Sequence, residues 1–459
     1  IEVTAMEFKR DIYQKLVQWK NDHTGRVLEV SGARQVGKTY ILKKFARENF
    51  PYVIYINMAE LTGERFLKCL EQAEYWEPGM PVDENSLHKA VTLFAPEFRD
   101  TEETVILIDE IQESAKVYNL IRTFAREFSS YVIVTGSYLG RILSKEFFLP
   151  AGDLDTLKME TLTFAEFTDI FGERERYETI GLDGTSAPEE YQSLRKRYDL
   201  YQRIGGYPSV VLLYLASGDL ERCDAELERL MQTFINESKR YFEDAMEASA
   251  FEELFHGIAV TLIKEKQGAG DLVEELSKIV YKEESGRFTK RMVHRAIGWL
   301  HASHIIGYAG KSINCDYLNI KENARFYFMD IGLARYFLTR AGAAEGVVKG
   351  IVAENFVYLA LARRIPREIA GTSPWFGSYE KNNGELDFYV RSLLDFKNYG
   401  IEVKSEGGEG ITAKALLHAG SLDYLYNLRG KSFGGVTEDG KVRSVPLYLA
   451  DRIRFDLGK

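Results

Sequence analysis

Eight consecutive residues, Gly32-Ala33-Arg34-Gln35-Val36-Gly37-Lys38-Thr39, constrain this chain more than any others. They satisfy the pattern GxxxxGK[ST]. Glycine lets a loop turn tightly enough for its backbone N–H groups to wrap a phosphate. A helix that starts at the end of such a loop points its positive end at the same phosphate. Lys38 is then placed to reach the β- and γ-phosphates of ATP, and the Thr39 hydroxyl to bind Mg²⁺. The flanking text fits: RVLEVS (Arg26–Ser31) reads as a strand and Thr39–Asn49 as a helix. The expected nucleotide contacts are Gly32, Ala33, Arg34, Gln35, Val36, Gly37, Lys38, Thr39 and Tyr40, with Ser137 contributed from farther along the chain.

A second signal agrees. Val105-Ile106-Leu107-Ile108 is an apolar run that ends in Asp109-Glu110. Asp109 is expected to join Thr39 in the Mg²⁺ shell, and Glu110 to orient or activate the attacking water. YVIYINM (Tyr52–Met58) and Tyr131–Val134 read as further strands. Apolar strands alternating with helical text predict a doubly wound parallel α/β sheet. The run after Tyr131 ends in Thr135-Gly136-Ser137, where a hydroxyl is placed either to sense the γ-phosphate or to serve a simple turn. No arginine finger is assigned; Arg141 is the nearest candidate.

With 459 residues the chain is too long for one ordinary core, and three or four domains are expected. A net charge of −10 excludes a chain coated in positive charge, so nucleic-acid contact requires a local basic patch. Cys69, Cys223 and Cys315 match no zinc or CxxC spacing and suit a reducing compartment. No run approaches the roughly 20 apolar residues of a membrane helix. The first residues do not read as a secretory signal, Met6 offers one native start, and a cytoplasmic location without membrane contact is expected.

GARQVGKT, ILIDEIQ (Ile106–Gln112) and VIVTGS (Val132–Ser137), followed by LTFAEF (Leu162–Phe167) and Gly205-Gly206-Tyr207-Pro208, resemble one group of prokaryotic AAA-type ATPases. Members of that group carry a C-terminal domain of unknown function that resembles the PD-(D/E)xK nuclease fold. FYFMDIGL (Phe326–Leu333) is similar to the usual entry into that domain. The resemblance covers nearly the whole chain and implies a fold and two sites rather than a biological role.

The second site centres on YGIEVKS (Tyr399–Ser405), strand-like text in which Glu402 and Lys404 share one face. Upstream, Asn383-Gly384 signals a hairpin turn. Regular alternation after it puts Glu385, Asp387 and Tyr389 on one face and Leu386, Phe388 and Val390 on the other. Glu354 lies on a predicted helix that packs over the same sheet. Glutamate, aspartate and Glu-x-Lys on helix, strand and strand form the layout that the resemblance implies for a nuclease site. Asp387 and Glu402, with a carbonyl such as that of Val403, offer hard oxygen ligands for Mg²⁺ or Mn²⁺. Lys404 would orient or deprotonate water, and Glu354 would orient it or complete the metal shell. The alternatives are a plain Glu–Lys ion pair on a solvated sheet face and a nuclease-like fold that has lost catalysis.

Between these sites the text is mostly helical. Thr289 can cap KRMVHRAIGWLHA, in which Val293, Ala296, Ile297 and Leu300 share one side and Lys290, Arg291, His294 and Arg295 another. The stretch from Phe251 to Asn314 resembles the winged-helix region of related ATPases, and either binds duplex DNA or spaces the domains. The expected organisation is an AAA-type P-loop core over 1–160, a helical lid and linker over 161–240, a winged-helix-like segment over 241–320 and a PD-(D/E)xK-like domain over 321–459. The expected activity is ATP hydrolysis coupled to metal-dependent processing of nucleic acid, DNA rather than RNA. The alternatives are a nucleotide-dependent signalling switch and a protein remodeller. Oligomeric state stays open at this level.

Overall fold

The computed structural model describes residues 7–74, 86–137, 146–148, 152–241, 248–265, 290–405, 410–431 and 433–459. These divide into two compact units. One holds Glu7–Thr161 together with the short segment Gly298–His304; the other holds Leu162–Ile297 and Ile305–Lys459.

The first unit is built on a five-stranded sheet. Its strands are β1 (Val27–Ser31), β2 (Tyr52–Asn57), β3 (Thr104–Asp109), β4 (Tyr131–Thr135) and β5 (Leu154–Lys158). Their order is β2-β3-β4-β1-β5, and every pairing is parallel. β3 is buried along its whole length, which explains its unbroken apolar text. Helices Ile12–Asp22, Lys38–Asn49, Leu61–Glu74, Ser86–Phe94 and Ile121–Glu127 belong to the same unit. Phe66, Leu87, Val91, Phe94, Ile121 and Phe124 close a core over β2, β3 and β4. Since β1 and β3 flank β4, the loop after β1 and the acids after β3 emerge at the same sheet edge.

The second unit combines helices with an eight-stranded mixed sheet. The strands are β6 (Ile306–Ile313), β7 (Ile320–Phe328), β8 (Trp375–Tyr379), β9 (Gly384–Arg391), β10 (Asn398–Lys404), β11 (Tyr424–Arg429), β12 (Gly435–Val436) and β13 (Val442–Pro446). Their order is β12-β13-β11-β10-β9-β8-β6-β7. β6 and the first residue of β7 lie upstream of residue 321 and belong to this sheet. β8, β9 and β10 form an antiparallel meander, and helix Ile411–His418 carries the chain over to β11, parallel to β10. Asn383, in the left-handed region at φ 49°, helps close the β8–β9 turn, as the Asn-Gly signal predicts.

Three motifs quoted for the family resemblance interlock in this unit. The Leu162 N–H donates to the Gly206 carbonyl at 2.8 Å, and the Tyr201 hydroxyl donates to the Leu162 carbonyl at 2.6 Å. Asp330 caps helix Ile331–Arg340 by accepting from the N–H groups of Gly332 and Leu333, and also accepts from Gly206 N–H at 2.8 Å. Gly205 and Gly332 let the two backbones touch: a Cβ on Gly332 would lie 2.6 Å from the Ile204 carbonyl oxygen, and one on Gly205 would collide with Asp330.

Two sequence expectations need comment. Helix Lys290–Ala302 forms, and Ala296 and Leu300 are buried in it. Thr289, Arg141 and the side chains of Lys290, Arg291, Val293, His294 and Arg295 lie outside the described residues. The second concerns β9. A bulge against β8, between the Trp375–Tyr389 and Gly377–Leu386 pairs, breaks the regular alternation. Leu386 and Tyr389 therefore both enter the core beneath helix Ile411–His418, with Ala413, Leu416 and Leu425. Glu385 leaves the face it was expected to share with Asp387 and pairs with Arg325 at 2.7 Å.

Candidate functional site

The loop between β1 and helix Lys38–Asn49 has the backbone its glycines permit. Gly37 sits at φ 97° immediately before the helix, and Gln35 at φ 63° also takes the left-handed region. A Cβ on Gly32 would collide with the Met159 carbonyl, so the loop lies hard against the chain after β5. Lys38 is 6% exposed, and its Nζ donates to the carbonyls of Gly32 and Ala33, each at 2.8 Å, and approaches the Ser137 hydroxyl at 3.3 Å. Burial pulls its amine down to about 8, against the opposing pull of Glu110 and Asp109.

Thr39 donates its hydroxyl to Asp109 Oδ2 at 2.7 Å, so these side chains meet although a strand intervenes between β1 and β3. The Tyr55 hydroxyl donates to the same oxygen at 3.0 Å. Burial pushes the Asp109 carboxyl above its ordinary range and the Glu110 charge adds to this, while hydrogen bonds from Thr39, Tyr55 and the Glu110 N–H oppose it. Glu110 itself takes φ 49°, a turn at the strand end that re-aims its side chain. Gln112 Nε2 donates to one Glu110 oxygen at 2.6 Å, and the Ser137 hydroxyl reaches the other at 3.3 Å. Thr135, by contrast, spends its hydroxyl on the Val30 carbonyl at 2.7 Å, a bond between neighbouring strands. Tyr40 is 59% exposed on the first turn of the helix.

The donor set fits Mg²⁺ and a nucleoside triphosphate. A hydroxyl and a carboxylate share one point as hard oxygens, an amine stands inside a curled glycine loop, and a second carboxylate is held beyond them. Tyr55 and Gln112 escaped sequence reasoning. Gln112 lies in the quoted motif but carries no pattern of its own, and only the β2–β3 pairing brings Tyr55 to Asp109.

The second candidate site lies on β9 and β10, near the middle of the mixed sheet. Their ladder runs from Asn398–Arg391 to Ile401–Phe388. One step on, the Asp387 carboxylate replaces the backbone acceptor and takes the Val403 N–H at 2.7 Å. Glu402 is 6% exposed, and Lys404 Nζ lies 2.6 Å from its Oε1. Gly410 packs against Glu402: a Cβ there would stand 3.0 Å from its Cγ and Cδ. Asp387, Glu402 and Lys404 are thus gathered at the end of two paired strands.

Glu354 has other company. It is 3% exposed on helix Glu345–Ala362, where it accepts from the Tyr327 hydroxyl at 2.8 Å and lies 3.4 Å from Arg325. Tyr327 packs against Tyr358 and Phe388. Phe388 and Tyr389 point to opposite faces, and Tyr389 belongs to the core beneath helix Ile411–His418. Gly400, two residues before Glu402, packs on that same core through Leu386, Leu422 and Leu425. Glu354 and Glu402 therefore sit on opposite faces of the sheet. Among the described residues no three His, Cys, Asp or Glu side chains gather within reach of one metal ion. Arg325 and Tyr327 were missed in the sequence because their partners lie 27 to 60 residues away.

Among the described residues no helix is long and apolar enough to cross a membrane. Residues 24–168 match the family described as an AAA domain. A protein of Haemophilus influenzae (strain Rd), described as uncharacterized, is 24% identical over 392 residues, covering 84% of each chain. Among solved structures, the chain aligns with the Aeropyrum pernix ORC2 protein at 12% identity and a TM-score of 0.33, over 76% of this chain and 94% of that one. It aligns with the Thermotoga maritima RuvB branch migration motor at 13% identity and a TM-score of 0.29, over 65% of this chain and 89% of that one. Residues 24–168, which hold the phosphate loop between β1 and its helix and the meeting of Asp109 with Thr39, are thus similar to an AAA domain.

Proposed function

We propose that the chain hydrolyses Mg·ATP at the loop site and that its second unit carries a metal-dependent nuclease-like site acting on DNA. One observation carries the second half: Asp387, Glu402 and Lys404 converge at the ends of two paired strands, with Glu402 buried and Lys404 against it.

At the first site, Lys38 places its charge against the β- and γ-phosphates, and Thr39 and Asp109 hold Mg²⁺. Mg²⁺ held by these two groups would offset phosphate charge. Glu110, fixed by Gln112, positions the attacking water and accepts its proton, and the Ser137 hydroxyl, between Lys38 and Glu110, meets the γ-phosphate.

At the second site, Asp387, Glu402 and the Val403 carbonyl offer the oxygens for a divalent cation. A cation held there acidifies water and offsets phosphate charge. Lys404 orients that water. Glu354 supports the scaffold from the other face through Tyr327 and Arg325. Nucleotide contacts bias which arrangement of the chain admits DNA.

The test is cleavage of circular and linear DNA, and of RNA, with Mg²⁺ or Mn²⁺ and with and without ATP. Wild type is compared with Asp387→Ala, Lys404→Ala and Lys38→Ala. The proposal expects loss of cleavage in the first two, and a changed ATP response in the third. A second reading is a nucleotide-dependent switch whose second unit binds without cutting. Glu354 and Glu402 on opposite sheet faces favour it, with no three such side chains near one metal position among the described residues. Wild type that hydrolyses ATP but leaves every substrate intact selects that reading.

A further inference from the structure

The second unit contains a cavity of about 700 Å³ that neither site explains. One wall is a single face of helix Pro188–Ile204, where Arg195, Tyr198, Asp199 and Gln202 follow helical spacing. Lys349 and Val352 come from helix Glu345–Ala362, and Arg335 from helix Ile331–Arg340. Five cations line the cavity, Arg195, Arg203, Arg335, Lys349 and Lys431, against two acids, Asp199 and Glu345. In a chain with net charge −10 this is a local reversal of sign.

The cations are organised. Arg203 pairs with both oxygens of Asp224, each at 2.6 Å, and Arg335 pairs with the same carboxylate. Two guanidinium groups on one acid leave a net positive, fixed pair. Lys349 stands 2.6 Å from Glu345. Arg195 makes no ion pair among the described residues.

The cavity reaches the chain beside Lys404 but on the other sheet face: helix Glu345–Ala362 lines it, whereas the Lys404 side chain pairs with Glu402 on the face of helix Ile411–His418. Ser405, the residue after Lys404, lines it, as does Gly430. The Gly430 N–H donates to the Lys404 carbonyl at 3.1 Å, and a Cβ on Gly430 would collide with the Ser405 carbonyl. Ser405 thus joins the cavity wall directly to Lys404 along the chain.

We infer that this cavity takes the phosphate backbone of single-stranded nucleic acid on the sheet face opposite the Lys404 side chain, an inference that rests on the nuclease-like reading of this unit. Volume decides against a duplex: small-ligand sites span roughly 300–1,000 Å³, which holds one or two nucleotides and no double helix. Charge decides for phosphate, since strand affinity comes from cations that neutralise it.

The experiment is fluorescence anisotropy of a labelled oligothymidylate of about twelve nucleotides in EDTA, over a salt series. Wild type is compared with Arg195→Gln/Lys431→Gln, after both are shown by circular dichroism to melt at the same temperature. The double variant is expected to bind roughly tenfold more weakly, with its log K against log salt slope shallower by about 1.4. A second arm competes with unlabelled duplex and with thymidine monophosphate. Equal affinity and slope in the variant, stronger competition by duplex, or full competition by the mononucleotide at the same phosphate concentration each overturn the inference. Cleavage by Asp387→Ala is scored separately. Lost cleavage there with unaltered strand binding in the double variant refutes this inference alone. Altered strand binding with wild type that never cuts refutes the nuclease reading alone.

Discussion

Asp330 offers the sharpest test of how the second unit is held together. Replacing it by alanine removes the acceptor for three backbone N–H groups: Gly332 at 2.8 Å, Leu333 at 3.1 Å and Gly206 at 2.8 Å. Asp330 is 1% exposed, so water does not readily take its place. Losing the helix cap costs about 1 kcal/mol. Leaving the buried Gly206 N–H unpaired costs about 1–3 kcal/mol more. The expected loss is therefore roughly 2–4 kcal/mol, a large part of a domain's stability. Asp330→Asn keeps one oxygen for the cap but turns an amide donor toward one of the three N–H groups, and should fall between wild type and alanine. The assay is urea unfolding followed by fluorescence, with Trp375 reporting this unit from β8, and amide exchange read at Gly206, Gly332 and Leu333. Asp330→Ala with an unchanged midpoint and unchanged protection of all three amides would refute the reasoning.

Other outcomes follow from single contacts. Tyr55→Phe removes one hydrogen bond to Asp109 and should slow ATP hydrolysis about tenfold while leaving nucleotide affinity near wild type, as checked by steady-state hydrolysis and equilibrium binding. Gly410→Ala has an allowed backbone but presses on Glu402, so cleavage should fall at least tenfold with the melting temperature little changed. His304 is held neutral, its pKa pulled down to about 3 by burial and by Lys158 and Lys38. The folded state then binds fewer protons than the unfolded state between about pH 3 and 6.5. Stability is full above 6.5 and falls by up to ~1.4 kcal/mol per pH unit as pH drops through that window. Urea midpoints from pH 7 to 5 should show a shallower acid loss in His304→Asn than in wild type.

The glycine loop and the acids after β3 were legible because phosphate-binding chemistry demands fixed residue types at fixed spacing, and because buried parallel strands leave unbroken apolar text. Helix Lys38–Asn49 and strand Tyr52–Asn57 fall within a residue of where the text puts them. The second site was legible only in part. Asp387, Glu402 and Lys404 could be set on neighbouring strands from alternation and a hairpin signal. The β9 bulge could not, because it arises from pairing with β8 and leaves no local mark in GELDFYVR. The same limit hid the partners of Glu354, since Tyr327 and Arg325 come from a strand far upstream. Asp330 read as one letter in a family motif; that it joins Gly206 to a helix start is visible only in three dimensions. The cavity is a further case, since its cations come from separate helices and a loop and form no run in the sequence.

Glu110 gives the most direct test of the ATP site. Its carboxylate is held by Gln112 and Ser137 beside Lys38, and no other described acid takes both bonds. Single-turnover hydrolysis of Mg·ATP should be compared between wild type and Glu110→Gln, with nucleotide affinity measured in parallel. The expected result is near-normal binding with hydrolysis slowed at least about a hundredfold. Glu110→Gln that hydrolyses ATP at the wild-type rate would contradict the assignment of this residue, and with it the mechanism proposed for the site.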